Sequence, residues 1–341
     1  MRYILIISED RDLTASEVVH WLLLNGEFQI IRINETDKIK ILNISIDKER
    51  ESNFSIEIND RLVIKSDQIY AYWYRRGELA YNKVVANSGN IKIADLLNES
   101  LNKYYNIEWE TATEYIYYLL RKSRSISINS WFDLKTNKLI NLEVAKQIGL
   151  SVPETIVSND IQHVIQFVKR NKTVISKPLS INSGSFWHEK YFYKYSIGTK
   201  LITLEDLNEV QKEKKSFQPT LFQEYIDKDF EIRSFYFNGQ FYSMAIFSQN
   251  NPKTQIDFRN YDQSLPNRNV PFKLPVDIEC KLGKLMTVLD YDSGSFDIIY
   301  NKGEYVFLEV NTVGQLSWVS KNCNYQIEKI IANEIIRRAK Y

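Results

Sequence analysis

The strongest constraint on the fold is a pair of alternating apolar and polar runs over 231–248, joined at Asn238-Gly239. Alternation places successive side chains on opposite faces of a strand. Asn-Gly supplies two residues that accept positive φ, and the turn they make twists in the same sense as the strands it joins. The segment therefore reads as an antiparallel hairpin, and any domain that holds it contains an antiparallel sheet. A second hairpin is expected from 295–300 and 304–311, preceded by a helix at 276–289, with an amphipathic helix at 325–340.

The chain begins in a different style. Residues 3–8 read as a buried strand, and Thr14-Ala15-Ser16-Glu17 as a capping box opening a helix. Val18, Val19, Leu22 and Leu23 supply its apolar stripe, and Gly26 ends it. A strand at 28–33 follows, so the opening is β-α-β, the start of an α/β layer. Short alternating runs over 40–64 read as meandering strands, and 69–74 as a strand ending in Arg75-Arg76-Gly77. Two helices are expected at 91–105 and 108–122. Leu139, Leu142, Ala145 and Ile148 share a helical face that Gly149 closes. A strand from Pro153, a helix at 160–169 and strands at 173–177 and 221–226 continue the chain. The fold class expected is α/β and α+β, in three parts: 1–125, 126–215 and an antiparallel 216–341.

Composition removes several function classes. A net charge of +1 gives no global field toward nucleic acid or an anionic membrane, and neither partner is expected. Two cysteines make no disulfide framework, and three scattered histidines lack the spacing of a zinc site. Only 11 glycines occur, with no GxxxxGK[ST] and no GxGxxG, so a nucleotide here is held by other chemistry. The N-terminal apolar run is too short for a signal peptide and no stretch approaches a membrane span, so a cytoplasmic protein is expected.

The second hairpin carries the chemistry. With Asn301-Lys302-Gly303 as a three-residue connection, Tyr300 faces Glu304 and Asp297 faces Phe307. Phe307, Glu309 and Asn311 then lie on the same side as Asp297, bringing three oxygen ligands together. Such a set suits a hard cation, Mg²⁺, completed by phosphate oxygens and water. A two-residue connection turns Asp297 away. Glu309 and Asn311 are embedded in an otherwise core-like run, and carboxylates are rarely buried unpaired. Lys177 ends a strand, and the donor-rich stretch 180–185 after it reads as a loop suited to phosphates. Lys138 sits at a helix start.

Taken together, Lys138, Ile175-Ser176-Lys177-Pro178, Phe222-Gln223-Glu224-Tyr225-Ile226, Glu231-Ile232-Arg233 and Glu309-Val310-Asn311 occur in the order seen in ATP-grasp ligases, over roughly residues 126 to 341. Tyr72-Trp73-Tyr74-Arg75-Arg76-Gly77, Asp257-Phe258-Arg259, Asn311-Thr312-Val313-Gly314-Gln315 and the run from Cys323 extend the likeness across nearly the whole chain. With these the sequence resembles the grasp-with-spasm peptide maturases, relatives of the microviridin ligases that install side-chain ester or amide cross-links in ribosomal precursor peptides.

The resemblance implies ATP and Mg²⁺ as cofactors and a precursor peptide, leader and core, as partner, with the first domain helping to bind the leader. It implies phosphate contacts from Lys138 and Lys177, with Ser185 on the cofactor side, an adenine hinge at Gln223, Glu224, Tyr225 and Ile226, and Glu231 near the ribose. Asp297, Glu309 and Asn311 would hold Mg²⁺, and Arg233 and Arg259 would act on the transferred phosphoryl group and the acceptor carboxylate. Arg75, Arg76 and Asp257 are candidates for peptide recognition. Relatives of this kind are often homodimers. Ribosomal-protein glutamate ligases, on the same fold, follow Glu-x-Asn with Ser-Pro-Gly, whereas this chain has Thr312-Val313-Gly314-Gln315. The alternatives are a ligase joining a free amino acid to a peptide or small acid, and a non-catalytic peptide- or nucleotide-binding module.

Overall fold

The computed structural model describes residues 2–49, 51–81, 91–122, 126–179, 183–188, 191–196, 198–213 and 215–340. The side chains of 91–95, 183–187, 192 and 194–196 are outside that description. The chain divides into two compact units, Met1–Lys135 with Gln326–Tyr341, and Thr136–Tyr325.

The first unit opens as expected with β1 (Tyr3–Ile7), α1 (Leu13–Leu23) and β2 (Gln29–Ile33). Its cap differs from the capping box read at Thr14. Asp12 is the N-cap and accepts from the Ala15 amide at 2.9 Å, which leaves Thr14 inside the helix and buried. The inward stripe is Thr14, Ala15, Val18 and Leu22, while Leu23 faces out. Next come β3 (Ile39–Ser45), β4 (Asn53–Ile58) and β5 (Leu62–Lys65), an antiparallel meander, then β6 (Ile69–Tyr74). In place of the two helices expected, α2 runs unbroken over Ile91–Lys122, because neither Gly nor Pro interrupts it. With β7 (Ser127–Ile128) the parallel sheet has the order β2-β1-β6-β7.

The second unit starts with α3 (Lys138–Ile148), capped by Asn137 and closed by Gly149 in the left-handed region at φ 90°. There follow β8 (Thr155–Ser158), α4 (Ile161–Asn171), β9 (Val174–Lys177), β10 (Ser183–His188), β11 (Tyr191–Ser196), β12 (Lys200–Ile202), α5 (Leu204–Lys212) and β13 (Thr220–Glu224). The antiparallel sheet β12-β9-β13-β8 is backed by α4 and α5 through Val164, Phe167, Val168, Leu207 and Phe222. Of the loop expected at 180–185, residues 180–182 lie outside the described residues and the rest begin β10, which pairs with β11.

The remaining elements are β14 (Phe230–Phe237), β15 (Gln240–Phe247), β16 (Arg268–Phe272), α6 (Val276–Leu289), β17 (Ser293–Asn301), β18 (Glu304–Asn311) and α7 (Ser317–Cys323). They form an antiparallel sheet in the order β16-β15-β14-β17-β18. The first hairpin turns on Asn238 and Gly239 at φ 48° and 78°, the type I′ geometry that the dipeptide predicts. One sheet face packs Ile232, Phe296, Ile298, Phe307 and Val310 against Leu142 and Ala145 of α3 and Leu282, Leu285 and Met286 of α6. Each such side chain stabilises the fold by about 1.5–3 kcal/mol on full burial, which fixes which residues face the other way. The chain ends in α8 (Ile327–Ala339), which belongs to the first unit and not to the part expected at 216–341. It packs with α1 and β6, burying Ile331 and Ile335.

Candidate active site

The β17–β18 hairpin does not have the connection read from the sequence. Asn301 pairs with Glu304, so only Lys302 and Gly303 form the turn, at φ 45° and 97°. That register alone would carry Glu309 to the core face. A β-bulge between Asp297 and Ile298 restores it: Ile298 pairs with Phe307, Leu308 is the extra residue, and Asp297 pairs with Glu309. Two departures from the expected geometry cancel. Phe307, expected on the carboxylate side, faces the core instead, opposite Ile298. Asn311 pairs with Ser295, one pleat beyond Glu309 and on the same face.

From the next strand Arg233 pairs in register with Asp297 and holds it in an ion pair, both side chains nearly buried. Its Nε is buried and has no partner among the described residues. Burial raises the Asp297 carboxyl above its usual range, helped by Glu309 and opposed by Arg233. Burial also works against charge on Glu309, yet Lys138, Lys177, Arg259 and a hydrogen bond with Asp297 bring it down to about 2. Burial thus opposes charge on Asp297, while the surrounding cations favour it on Glu309.

The cations come from separate elements. Lys138, the first residue of α3, lies 3.3 Å from Glu309 Oε2 and donates to the Pro178 carbonyl at 3.3 Å. Lys177 ends β9; burial lowers its ammonium, with Glu309 opposing. Arg259 lies in the connection between β15 and β16 and grips Asp257 through Nε and Nη2, both at 2.8 Å. Asp257 also accepts from the Thr199 hydroxyl at 3.1 Å, and the bonds to Arg259 overcome burial to lower its carboxyl.

One cavity is lined by these groups and by Gln223, Glu224, Tyr225, Ile226 and Glu231. Gln223 is buried and donates to Thr155 Oγ1 at 2.8 Å. Glu224 is tied to Glu154, its amide to the carbonyl at 2.9 Å and its carboxylate to the amide at 2.7 Å. The Tyr225 amide bonds the Thr173 carbonyl at 3.0 Å. The hinge is thus anchored on both flanks. Glu231 Oε1 accepts from Lys228 at 2.6 Å and from Ser248 at 2.8 Å, while burial raises its carboxyl.

The structure brings Lys138, Lys177, the hinge, Glu231, Arg233, Asp257, Arg259, Asp297 and Glu309 into one neighbourhood, with Asn311 beside it. Ser185 is on β10, and its side chain lies outside the described residues. Arg75 and Arg76 are in the first unit, committed to its own carboxylates: Arg75 is buried against Asp12 at 3.2 Å, and Arg76 lies 3.6 Å from Glu9. Lys228, Thr199 and Leu308 also line the cavity and were not singled out in the sequence. A lysine in a polar connection carries no periodic signal that marks it as buried.

Among the described residues no group of three or more His, Cys, Asp or Glu converges. The candidate metal set is therefore two carboxylates and the amide of Asn311, all hard oxygen donors of the kind Mg²⁺ takes. The fit is electrostatic as well: two buried carboxylates stand side by side, and a cation next to them relieves their mutual repulsion.

No family model matches the chain, and no curated protein matches it. Solved structures do. The macrocyclase MdnC of Microcystis aeruginosa MRC, bound with precursor peptide MdnA, is 23% identical over 98% of this chain and 99% of that one, with a TM-score of 0.72. A Chryseobacterium gregarium RiPP-associated ATP-grasp ligase, in complex with ADP and a leader and core peptide, is 22% identical over 98% and 95%, with a TM-score of 0.74. ATP-grasp ligase PsnB, complexed with a variant of its minimal precursor, Mg and ADP, is 14% identical over 99% of both chains, with a TM-score of 0.68. At these identities the likeness establishes the fold, and the chain has the ATP-grasp fold.

Proposed function

We propose that this chain is an ATP- and Mg²⁺-dependent carboxylate ligase that cross-links a ribosomally made precursor peptide. The observation that carries the reading is the pairing of Asp297 with Glu309 on one sheet face, with Arg233 and Lys138 ion-paired to them and Lys177 and Arg259 near enough to act on their charge. The fold is shared with ligases described as bound to precursor peptides with ADP, one of them also with Mg.

ATP binds with its adenine edge against the hinge backbone at 223–226, its ribose near Glu231 and its phosphates near Lys138 and Lys177. Asp297, Glu309 and Asn311 would hold Mg²⁺, which would supply neutralisation of phosphate charge. Arg233, whose Nε has no partner among the described residues, and Arg259 steady the transferred phosphoryl group and the acceptor carboxylate. The bond between the γ-phosphorus and ADP breaks as an oxygen of a peptide Asp or Glu bonds to that phosphorus. A Thr or Ser hydroxyl, or a Lys amine, of the same peptide then attacks the acyl carbon. Inorganic phosphate leaves and the nucleophile gives up its proton, closing an ω-ester or ω-amide. The chain supplies position and charge, and no enzyme nucleophile is required. The first unit contributes to leader binding, which keeps the core segment at high effective concentration.

A reducing, cytosolic setting suits an exposed Cys280 and a buried Cys323 that are both free. Among the described residues no helix is long and apolar enough to cross a membrane. The test is to mix the chain with Mg·ATP and a synthetic peptide from a short adjacent reading frame with a Thr- and Asp/Glu-rich tail, then weigh the product. Loss of one water per bond with matching ADP release is expected. A gain in mass with a free amino acid indicates amino-acid ligation instead, and nucleotide binding with no ADP release overturns catalysis.

A further inference from the structure

The connection between β15 and β16 carries Asp257 and Arg259, and it is built around buried polar groups. Thr254 is fully buried; its hydroxyl lies 2.7 Å from the Ser248 carbonyl and 2.9 Å from Asn267 Oδ1. Asn251 donates to the Leu265 carbonyl at 3.1 Å and to Asp262 at 3.2 Å. These bonds close the base of the loop on itself. The part that holds Arg259 has anchors of its own, among them Gln249 on the Gln255 carbonyl and Thr199 on Asp257, both at 3.1 Å.

That part is held from beneath by Lys228. Its side chain is 3% exposed, and its ammonium donates to Glu231 Oε1 at 2.6 Å and to the Ile256 carbonyl at 3.1 Å. An ammonium this desolvated persists only where acceptors surround it. Glu231 lies on β14, two residues from Arg233, so the strand serves as a fixed datum. Ile256 immediately precedes Asp257, whose carboxylate orients the Arg259 guanidinium through two bonds. A chain of charge-assisted bonds therefore runs from the strand through Glu231 and Lys228 to the Ile256 carbonyl and on to Arg259.

We propose that Lys228 is a positioning residue of this site, setting where Arg259 stands relative to Asp297 and Glu309. It touches no reacting atom; it acts through the backbone at Ile256. The catalytic part of this inference rests on the ligase reading above, whereas the structural link does not.

The test has two arms on the full chain. In the first, amide hydrogen exchange is compared in wild type, Lys228→Met and Lys228→Met/Glu231→Gln, the double variant leaving no unpaired charge. Exchange at the Arg259 and Asn260 amides, both bonded to Asp257, should rise on the order of tenfold or more while β14 and β17 stay protected. Unchanged exchange there overturns the proposal. In the second arm, ADP release is followed with the same synthetic peptide. Lys228→Met should lower kcat about tenfold or more with KM for ATP within about threefold. Ser248→Ala, which removes a bond to the same Glu231 oxygen but none to the Ile256 carbonyl, should keep kcat within about twofold. Equal losses in the two variants, or a change confined to KM for ATP, overturn it. A wild type without turnover sinks the ligase reading and leaves the exchange arm to decide the positioning link.

Discussion

Replacing Arg233 by methionine keeps an unbranched stem and removes the charge. Arg233 is 8% exposed and ion-paired with Asp297, whose neighbour across the bulge is a second carboxylate. Without the guanidinium, Asp297 is a buried charge with a like charge beside it. Breaking a buried pair from one side costs about 3–5 kcal/mol, because the charge left behind keeps its desolvation penalty. In a unit of this size each kcal/mol moves the melting temperature by about 2–4 °C, so a fall of roughly 6–20 °C is expected. Arg233→Met/Asp297→Asn removes both charges and should be more stable than Arg233→Met alone. With Asp297→Asn as the fourth corner, the cycle should give a coupling of about 2–3 kcal/mol. Thermal or urea unfolding of the four proteins, without nucleotide or metal, measures it. A cost below about 1 kcal/mol for Arg233→Met, with coupling under about 0.5 kcal/mol, would mean that water already solvates this face and that the site is not the dry, charge-matched one described here.

A methyl group on Gly314 would stand 2.7 Å from Ser295 Cβ and 2.8 Å from the Asn311 carbonyl oxygen, neither of which is a flexible end. Gly314→Ala should therefore cost about 1–3 kcal/mol by thermal unfolding, and Ser295→Gly in the same chain should recover part of it; no loss would show that the turn has room to shift. Burial pushes the Cys323 thiol up to about 11. Since the thiolate is the reactive form, alkylation of Cys323 at pH 8 should be on the order of a hundredfold or more slower than that of an ordinary thiol. Peptide mapping after brief labelling should find the exposed Cys280 modified and Cys323 reached only on unfolding; comparable rates would contradict the burial of Cys323.

Local chemistry decided much of this protein in advance. Asn238-Gly239 specifies a turn by its own φ preferences, Gly149 closes α3 in the left-handed region, and the alternation around Glu309 announces a strand that carries a carboxylate. Such features depend on residues within a few positions, so they are legible in one dimension. The ordered set of Lys138, Lys177, Gln223 to Ile226 and Glu309-Val310-Asn311 was read from a resemblance carried by its order, which local chemistry does not supply.

Tertiary structure decided what depends on partners distant in the chain. The face on which Asp297 stands follows from a bulge at Leu308 that compensates a turn one residue shorter than expected, and the core residues Phe296, Ile298, Phe307 and Val310 select that bulge by burying together. Arg75 is taken up by Asp12 because β1 and β6 lie side by side in the parallel sheet. Lys228 becomes a buried anchor only where the loop ahead of Arg259 folds back over β14. The last helix joins the first unit because its apolar face finds α1 and β6. Short-range propensity carries no information about any of these, since each is settled by which buried surfaces and charges meet once the chain has closed on itself.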